Sequence, residues 1–338
     1  MPPLVSILIP CYNAELWLAE TLESALNQTW QPIEIILVDD GSTDRSLAIA
    51  QSYQSPKLKV ITQPNQGASA ARNWALKLAQ GDFVQYLDAD DVLAPDKIEQ
   101  QVKRLLQEDA NSIASGAWAR FYTDYSEAQF YPQPLWADFH PIDWLLCAWE
   151  GNWMMHPAAW LIPRPIVDRV GGWNESLSLN DDGEYFCRVV LASCAIKFCP
   201  ESKVYYRSGI NGSLSGSKSL DAWNSLWRSL QLDQTHVLNQ EHSPRTRRAC
   251  ANRWQRLVYD LYPHYPNLLC AIETEIQQLG GADLPPVGSP LFQQAAAILG
   301  WQTAKRLQGW STTLRSLTKL TLSSTHSKSP KSPNFGGL

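Results

Sequence analysis

Residues 83–91 read Phe-Val-Gln-Tyr-Leu-Asp-Ala-Asp-Asp, a short apolar strand that runs directly into three clustered carboxylates. Such a cluster is electrostatically costly unless a cation lies beside it. Carboxylate oxygens suit magnesium and manganese, ions that commonly share their coordination with substrate phosphates. The run therefore predicts a divalent-metal site for a phosphorylated substrate. An alternative stays open, because Asp91 and Pro95 would also end a strand, and Asp96 would cap the following helix.

The residues before this run repeat a pattern of strand followed by helix. Short, largely apolar runs predict buried strands at Val5–Ile9, Glu34–Val38, Leu58–Thr62 and Phe83–Leu87. Helices are predicted between them over 16–26, from Ser42 or Asp44 to Tyr53, and over Gly67–Leu78. This alternation favours an α/β fold with a mostly parallel sheet covered on both faces, whose ligands bind beyond the carboxyl ends of the strands.

The composition of the 338-residue chain favours a globular, cytoplasmic protein. Hydrophobic residues make up 44% and charged residues 18% of the chain, which excludes a largely disordered protein. A net charge of −5 argues against a nucleic-acid partner. Seven scattered cysteines indicate thiols in a reducing compartment rather than disulfides or a zinc site. No leader and no spanning apolar stretch is evident, and a peripheral position at the inner face of a membrane stays open.

Four segments carry a family resemblance. They are Val-Ser-Ile-Leu-Ile-Pro-Cys-Tyr-Asn at 5–13, Val-Asp-Asp-Gly-Ser-Thr-Asp at 38–44, Asn-Gln-Gly at 65–67 with Ala-Arg-Asn at 71–73, and Leu-Asp-Ala-Asp-Asp at 87–91. In this order and spacing they closely resemble the family 2 glycosyltransferases, which are inverting enzymes of the GT-A fold. The resemblance covers residues 4–207 and implies a mostly parallel central sheet flanked by helices.

The resemblance also implies a domain organisation. Residues 1–207 would form the catalytic domain, with a nucleotide-sugar half at about 1–110 and an acceptor half at 111–207. Residues 208–322 are rich in Trp and Leu and are predicted to form a helical extension. Residues 323–338 have the Ser, Lys, Pro and Gly bias of a disordered tail.

By resemblance, the donor is a nucleotide-diphosphate sugar that binds at the strand ends. The implied nucleotide-binding residues are Pro10, Tyr12, Asp39, Asp40, Gly67, Arg72 and Asp88, with Asp90 as the ligand of the metal, the DXD motif of the family. Tyr12 would stack on the nucleobase, and Asp40 or Asp39 would accept the hydrogen of a uracil-like ring nitrogen. Asp40 as a turn residue before Gly41 is the alternative.

Arg72 has more than one interpretation. Gly67 would let the backbone approach the ligand, and Arg72, on the helix that Gly67 opens, offers a fork for the diphosphate or for the acidic cluster. A surface ion pair is equally consistent with the sequence.

A second acidic cluster is expected to supply the catalytic base. Asp181 and Asp182 resemble the family's acidic pair before a helix that ends in arginine, here Arg188. The spacing to Arg188 favours Asp182 as the base, although Asp181 stays an alternative because the first member of the pair is usually Glu. Glu184 would support the acceptor site. Asn180 or Asp181 would also serve as the cap of a helix over Gly183–Ala192.

Acceptor contacts are expected from His156 and from Trp173, whose indole would offer a platform for a sugar if it were exposed. Packing in the core is the alternative for both. Tyr206 and Arg207, followed by Ser213 and Ser215, loosely resemble a segment that closes over the diphosphate.

Two clusters of basic residues are candidates for membrane contact. One comprises five arginines on a predicted helix: Arg245, Arg247, Arg248, Arg253 and Arg256. The other, residues 301–338, carries six Lys or Arg and no acid. Its apolar residues Leu307, Trp310, Leu314 and Leu317 follow helical spacing, so this segment would lie on a membrane surface or dock against the catalytic domain.

The expected function is that of an inverting, non-processive glycosyltransferase that needs Mn or Mg and uses a nucleotide-diphosphate sugar, with a UDP-sugar favoured. A glycan, a lipid-linked sugar or a protein would be the acceptor, in glycan, cell-envelope polysaccharide or glycolipid biosynthesis. Processive synthases of the family carry a Gln-x-x-Arg-Trp segment, and here Cys250 stands in place of that glutamine. A catalytically inactive nucleotide-sugar-binding protein and a sugar nucleotidyltransferase are the alternatives.

Overall fold

The first four strands of the structure, a computed structural model that describes residues 1–210 and 219–308, are those that the apolar runs predict. They are β1 (Val5–Cys11), β2 (Ile33–Asp39), β3 (Leu58–Thr62) and β4 (Phe83–Tyr86). The strands β1, β2 and β4 are almost entirely buried, as strands covered on both faces should be, whereas the edge strand β3 is partly exposed. They pair in parallel in the order β3-β2-β1-β4, which confirms the mostly parallel sheet.

Helices connect these strands, as parallel pairing requires. The crossovers contain α1 (Leu18–Leu26), α2 (Ser46–Ser52) and α3 (Ala68–Leu78). The predicted cap of α2 is shifted, because Arg45 is the N-cap residue. The Asp44 carboxylate instead accepts hydrogen bonds from the backbone N and the hydroxyl of Ser46. Asp44 thus provides an acceptor for the first turn of α2 from the position before the N-cap residue.

A second, smaller sheet was not predicted from the sequence. It comprises β5 (Val92–Leu93), β6 (Ser112–Phe121) and β8 (Ala195–Arg207) in the order β5-β8-β6. The strands β6 and β8 run parallel, whereas β5 is antiparallel to β8. Because Phe121 pairs with Arg207 and Val92 pairs with Tyr205, the acidic run after β4 lies beside the carboxyl ends of β6 and β8.

The remaining elements of residues 1–249 surround these two sheets. They are α4 (Lys97–Leu105), a 3-10 turn at Tyr125–Glu127, α5 (Pro141–Gly151), a 3-10 turn at Pro157–Ala159, β7 (Ile162–Pro163), α6 (Arg164–Val170), α7 (Asp181–Ala192) and α8 (Leu220–Gln240). The short strand β7 adds to β4 in the antiparallel direction. Asp96 is the N-cap residue of α4, as predicted, but its side chain makes no capping hydrogen bond.

Contacts within the chain divide it into two units, Met1–Ala249 and Cys250–Leu338. The helix α9 (Pro244–Leu261) crosses this boundary, and α10 (Pro266–Gln278) and α11 (Pro290–Leu299) follow. Within the second unit, Asn252 donates to the Asp283 carboxylate and accepts from the backbone N of Asp283 and Leu284. The predicted catalytic boundary at residue 207 and the extension over 208–322 stay predictions.

Two further predictions concern the surface of the chain. Arg245 pairs with Glu241 and Asp143, so this arginine belongs to an ion-pair network rather than to an open basic patch. Residues 309–338, with Trp310, Leu314, Leu317 and the predicted tail, lie outside the described residues. In the described part of the chain, no helix is long and apolar enough to cross a membrane, and no disulfide joins any of the seven cysteines.

Candidate functional site

The predicted nucleotide-binding residues meet at the carboxyl ends of β1 and β2. Pro10 lies inside β1, opposite Val38, and Tyr12 follows the strand with 52% of its surface exposed. An exposed ring at this edge is able to stack on a flat ligand. Asp39 ends β2 and is buried. One of its carboxylate oxygens accepts from Ser42 N and Thr62 Oγ1, and the other has no partner.

Asp40 holds a loop of its own chain. Its carboxylate accepts hydrogen bonds from Gln63 Nε2 at 2.7 Å and from the backbone N of Gln66 and Gly67 at 2.8 Å each. The loop also lies close to Gly41, where an added Cβ would stand 2.9 Å from Asn65 N. Since three donors already occupy Asp40, the unpartnered oxygen of Asp39 is the better candidate acceptor for a ring N–H.

Arg72 forms an ion-pair bridge at the centre of the site. Gly67, with a φ of 93°, opens α3, and this helix carries Arg72 to two carboxylates. The Arg72 guanidinium donates to Asp88 Oδ1 at 2.8 Å and to Asp181 Oδ2 at 3.0 Å, and it lies 4.3 Å from the centre of the Trp173 ring. Burial alone would lower the pKa of Arg72, but Asp88 and Asp181 outweigh it and raise that pKa. The guanidinium is buried, so a surface pair is ruled out.

In the acidic run after β4, Asp88 pairs with Arg72, whereas burial and mutual repulsion dominate at Asp90 and Asp91. Burial, followed by repulsion from Asp91 and Asp88, raises the pKa of Asp90 to about 8. Burial and then Asp88 raise the pKa of Asp91 as well. Within residues 1–210 and 219–308, no group of three or more His, Cys, Asp or Glu side chains is arranged to hold a metal by itself. A divalent ion at the predicted ligand Asp90 would need further oxygen ligands, such as phosphate oxygens and water.

Arg207 fixes the backbone of this acidic run. Its backbone N donates to Asp91 Oδ1 and its Nε donates to the carbonyl oxygen of Asp90, both at 2.9 Å. The guanidinium also pairs with Glu20 and lies 4.3 Å from the ring centres of Trp17 and Phe121. Arg207 is buried, and these contacts hold the turn at Asp90 and Asp91 in place. Ser213 and Ser215, the rest of the predicted closing segment, lie outside the described residues.

Asp181 and Asp182, the predicted catalytic pair, lie at the start of α7 and have different partners. Asp181 Oδ2 accepts from Ser69 Oγ at 2.8 Å as well as from Arg72. Asp182 accepts only a hydrogen bond from Gly183 N, at 2.8 Å, among the contacts of the described residues. Burial and then repulsion from Asp181 raise the pKa of Asp182 to about 6. A carboxylate with that pKa and a free oxygen is suited to take up a proton near neutral pH.

The three predicted acceptor residues are less available than the sequence suggested. Trp173 is 3% exposed and stacks on Tyr185 with ring centres 4.3 Å apart, so the prediction of an exposed platform is wrong. His156 is also 3% exposed and packs on Trp118 and Tyr206. For His156 the structure therefore favours the alternative, packing in the core, and the acceptor contact stays a prediction. Each side chain fills a core position within its own group of aromatic rings.

Glu184 is held by the helix on which it lies. Arg188 donates to both of its carboxylate oxygens, at 2.7 and 2.8 Å, and Glu184 is buried. Burial raises the pKa of Glu184, but hydrogen bonds from His236 and Arg188 more than offset this and lower it. The same arginine also donates to the carbonyl oxygens of Val170 and Gly172. Glu184 therefore orients Arg188, which fastens α7 to the turn that precedes it.

Sequence reasoning missed Ser69, and it gave Asp91 a place in the acidic cluster or at the end of the strand but no partner. Ser69 lies one helical turn before Arg72, so both reach Asp181 from one face of α3, and this three-residue spacing was a usable signal. Asp91 is fully buried, and its Oδ2 lies 3.5 Å from His156 Nδ1. No sequence signal pairs Asp91 with His156, because their contact depends on the tertiary packing. Asn180 is the N-cap residue of α7, but its amide donates to Ser229 instead of capping.

Known proteins resemble this chain over different lengths. The model of glycosyl transferase family 2 matches residues 6–171. The glycosyltransferase GlyG of Streptococcus pneumoniae is 31% identical over 218 residues, which make up 61% of this chain and 71% of GlyG. An uncharacterized glycosyltransferase of Haemophilus influenzae is 48% identical over 108 residues, 31% of this chain. The chain spans only 43% of that relative's length.

The fold is shared with a solved structure. S. aureus TarS 1–349, in complex with UDP-GlcNAc, superposes with a TM-score of 0.64 over 91% of this chain and 92% of TarS, at 17% sequence identity. At this identity the likeness concerns the fold alone, and it confirms the predicted GT-A architecture. Because the family match and the extent of the similarity to GlyG agree with the strand-end arrangement of carboxylates, this chain belongs to glycosyl transferase family 2.

Proposed function

We propose that this chain is an inverting, metal-dependent, non-processive glycosyltransferase that transfers a sugar from a UDP-sugar to an acceptor hydroxyl. The observation that carries the proposal is that Asp181 and Asp182 differ in their partners and that the pKa of Asp182 is raised. Arg72 forms an ion pair with the first carboxylate, to which Ser69 also donates, whereas the second has no ion pair among the described contacts and has a pKa of about 6. Asp182 is thus the base.

The donor would lie along the strand ends. Tyr12 would stack on the base and the unpartnered oxygen of Asp39 would accept its ring N–H, a contact that suits uracil. The complexes of TarS with UDP and UDP-GlcNAc support a UDP-sugar for a chain of this fold. A divalent Mn or Mg ion held by Asp88 and Asp90 would offset the negative charge that develops on the departing diphosphate.

The residues of the chain account for the rest of the reaction. The acceptor hydroxyl attacks the anomeric carbon from the face opposite the nucleotide, and Asp182 takes its proton as the new bond forms. A single displacement of this kind passes through an oxocarbenium-like transition state and inverts the anomeric configuration. Arg72 keeps Asp181 and Asp88 in fixed positions relative to each other. The acceptor would be a glycan, a lipid-linked sugar or a protein.

Purified protein should be incubated with UDP-, GDP- and dTDP-sugars, each with manganese and with a chelator. We expect manganese-dependent release of UDP from one UDP-sugar and no release in Asp90→Ala, with Asp168→Asn on α6 as a control because its carboxylate pairs only with Arg164 at the surface among the described contacts. Release that is equal with chelator would contradict metal dependence. Donor binding by calorimetry without any turnover would instead indicate an inactive binding protein.

A further inference from the structure

A pocket that no part of the proposed donor site uses opens at the end of β6. It has a volume of about 430 Å³ and is lined by residues between Trp118 and Gln133. Pockets of roughly 300–1,000 Å³ are typical of small-ligand sites. A second pocket, of about 750 Å³, lies at the opposite, amino-terminal ends of β4 and β6 and is therefore remote from the strand-end carboxylates.

The chemistry of the first pocket suits a carbohydrate. Tyr122 and Tyr131 are 66% and 68% exposed, and both line the pocket. The polar side chains of Thr123 and Gln129 are also exposed in the lining. Exposed rings beside exposed donors and acceptors match the apolar faces and hydroxyl groups of a sugar.

The pocket lies one layer of side chains away from the acidic cluster. The Trp118 ring packs on His156 with centres 5.6 Å apart, and His156 lies 3.5 Å from Asp91. On the other side, Phe121 contacts Arg207, which donates to the carbonyl oxygen of Asp90. A chain of sugars whose terminal hydroxyl reaches the donor would therefore extend over this surface.

The charges of the lining favour a neutral ligand. Asp124 and Glu127 are exposed at the pocket, and Arg120 is the cation of the lining. The Arg120 guanidinium is already engaged, because it donates to Ser208 Oγ at 3.1 Å and lies over the Tyr206 ring. A uronic acid or a phosphate group would meet two carboxylates and one occupied arginine, so an anionic glycan is disfavoured.

We propose that the pocket between Trp118 and Gln133 is an acceptor subsite that binds a neutral oligosaccharide at a sugar unit remote from the reacting hydroxyl. Tyr122 and Tyr131 supply the stacking surface, and the exposed polar side chains of Thr123 and Gln129 bind hydroxyl groups. The proposal rests on the glycosyltransferase function proposed above and names the class of its acceptor.

Saturation-transfer NMR on the full chain tests the subsite with cellotriose, maltotriose and triacetylchitotriose as neutral probes and trigalacturonate as the anionic probe. We expect at least one neutral trisaccharide to bind, and its affinity to fall by about tenfold in Tyr122→Ala and Tyr131→Ala as a stacking surface is lost. Tyr53→Ala is the matched control, since Tyr53 follows α2 and is absent from the pocket lining. Asp124→Asn combined with Glu127→Gln should improve the binding of trigalacturonate.

UDP affinity, measured by calorimetry on the same samples, separates the two proposals. Unchanged UDP affinity in the tyrosine variants shows that they fold and keep the donor site. No neutral binding, binding that the tyrosine variants leave unchanged, or tighter binding of trigalacturonate by the wild type would overturn the subsite. Failure of the wild type to bind UDP would instead overturn the proposed donor.

Discussion

Asp181 and Asp182 are adjacent in sequence, yet their surroundings give them different chemistry. Asp181 accepts hydrogen bonds from Ser69 and Arg72. Holding this contact is the only role that we assign to Asp181. Burial and the neighbouring negative charge of Asp181 raise the pKa of Asp182 to about 6. The positive charge of Arg72 and the hydrogen bond from Gly183 N limit this rise. The Arg72 contact thus decides which of the two is available as a base.

Asp182→Asn should lower kcat by about 10² to 10⁴, the usual contribution of general-base catalysis, equal to roughly 3–5 kcal/mol. The affinity for UDP should stay unchanged, because Asp182 does not lie among the residues proposed to bind the nucleotide. Turnover of the UDP-sugar and calorimetric titration with UDP measure the two effects separately. Near-wild-type turnover in Asp182→Asn would contradict the assignment of Asp182 as the base.

The pH profile provides an independent test of Asp182. The base acts only in its ionised form, so with a pKa of about 6 the value of kcat/KM should fall below about pH 6 and be level above it. In Asp182→Asn the residual activity should lack this acidic limb. An acidic limb that persists in the variant would assign the titration to another group.

Asp90 should couple stability to pH and to metal. Its pKa of about 8 in the folded chain lies above the ordinary value of 3.8, so the stability due to its protonated form is complete below about pH 4 and is lost as the pH rises through 8. With chelator present, Asp90→Asn should therefore gain in Tm over the wild type as the pH increases from 5 to 9. Manganese at pH 8 should raise the Tm of the wild type but not that of the variant.

A constant difference in Tm between Asp90→Asn and the wild type across this pH range would show that Asp90 titrates normally. Asp168→Asn is the control for the loss of a carboxylate on the surface, since the Asp168 side chain is 60% exposed. Its Tm should follow the wild type at every pH.

The loop over 63–67 and the helix α3 that follows it are set in place by Asp40. Asparagine at position 40 would retain a single oxygen acceptor and turn an NH₂ group toward backbone N–H donors that now bind the carboxylate. Asp40→Asn should therefore reduce the free energy of unfolding by about 1–3 kcal/mol, the usual penalty for an unsatisfied buried group. Urea denaturation measures this change.

Asp39→Asn is the matched variant for Asp40→Asn, because one oxygen of Asp39 already lacks a partner. It should weaken UDP binding with a smaller effect on the free energy of unfolding. If both variants lost the same amount of stability, the distinction between Asp39, which would bind the nucleobase, and Asp40, which holds the loop, would be contradicted.

The elements show which parts of the fold a sequence reveals. The strands β1 to β4 could be predicted because each is a short, largely apolar run bounded by turn residues. The second sheet could not, since β5 has two residues and the pairing of Ser112 with Ala195 joins distant segments. The acidic residues of the site were found from local motifs. The burial of His156 and Trp173 was not, because it depends on partners such as Trp118 and Tyr185 that are remote in sequence.

Across residues 1–207, one arginine joins carboxylates of the predicted donor and acceptor halves. Arg72 lies on α3 of the first half, binds Asp88 of the same half, and also binds Asp181 at the start of α7. Asn73, the next residue, donates to the carbonyl oxygen of Trp173 and accepts from its backbone N. One turn of α3 therefore fixes the start of α7, where the proposed base lies, relative to Asp88, and catalysis should depend on it even though Arg72 performs no proton transfer.

A double-mutant cycle on Arg72 and Asp181 measures this connection. Arg72→Ala leaves two carboxylates without their cation and should cost more stability than Asp181→Ala, with a coupling of about 0.5–3 kcal/mol between the two changes. Arg72→Lys should not restore kcat, because an ammonium group cannot donate to both carboxylates as a planar fork does. Arg104→Ala is the control, since Arg104 also lies between two acids, Glu108 and Asp138, but at an exposed site, where such pairs contribute about 0–1 kcal/mol. If Arg72→Ala and Arg104→Ala had equal effects on unfolding and on kcat, Arg72 would be an ordinary surface arginine and the two halves would be joined by other contacts.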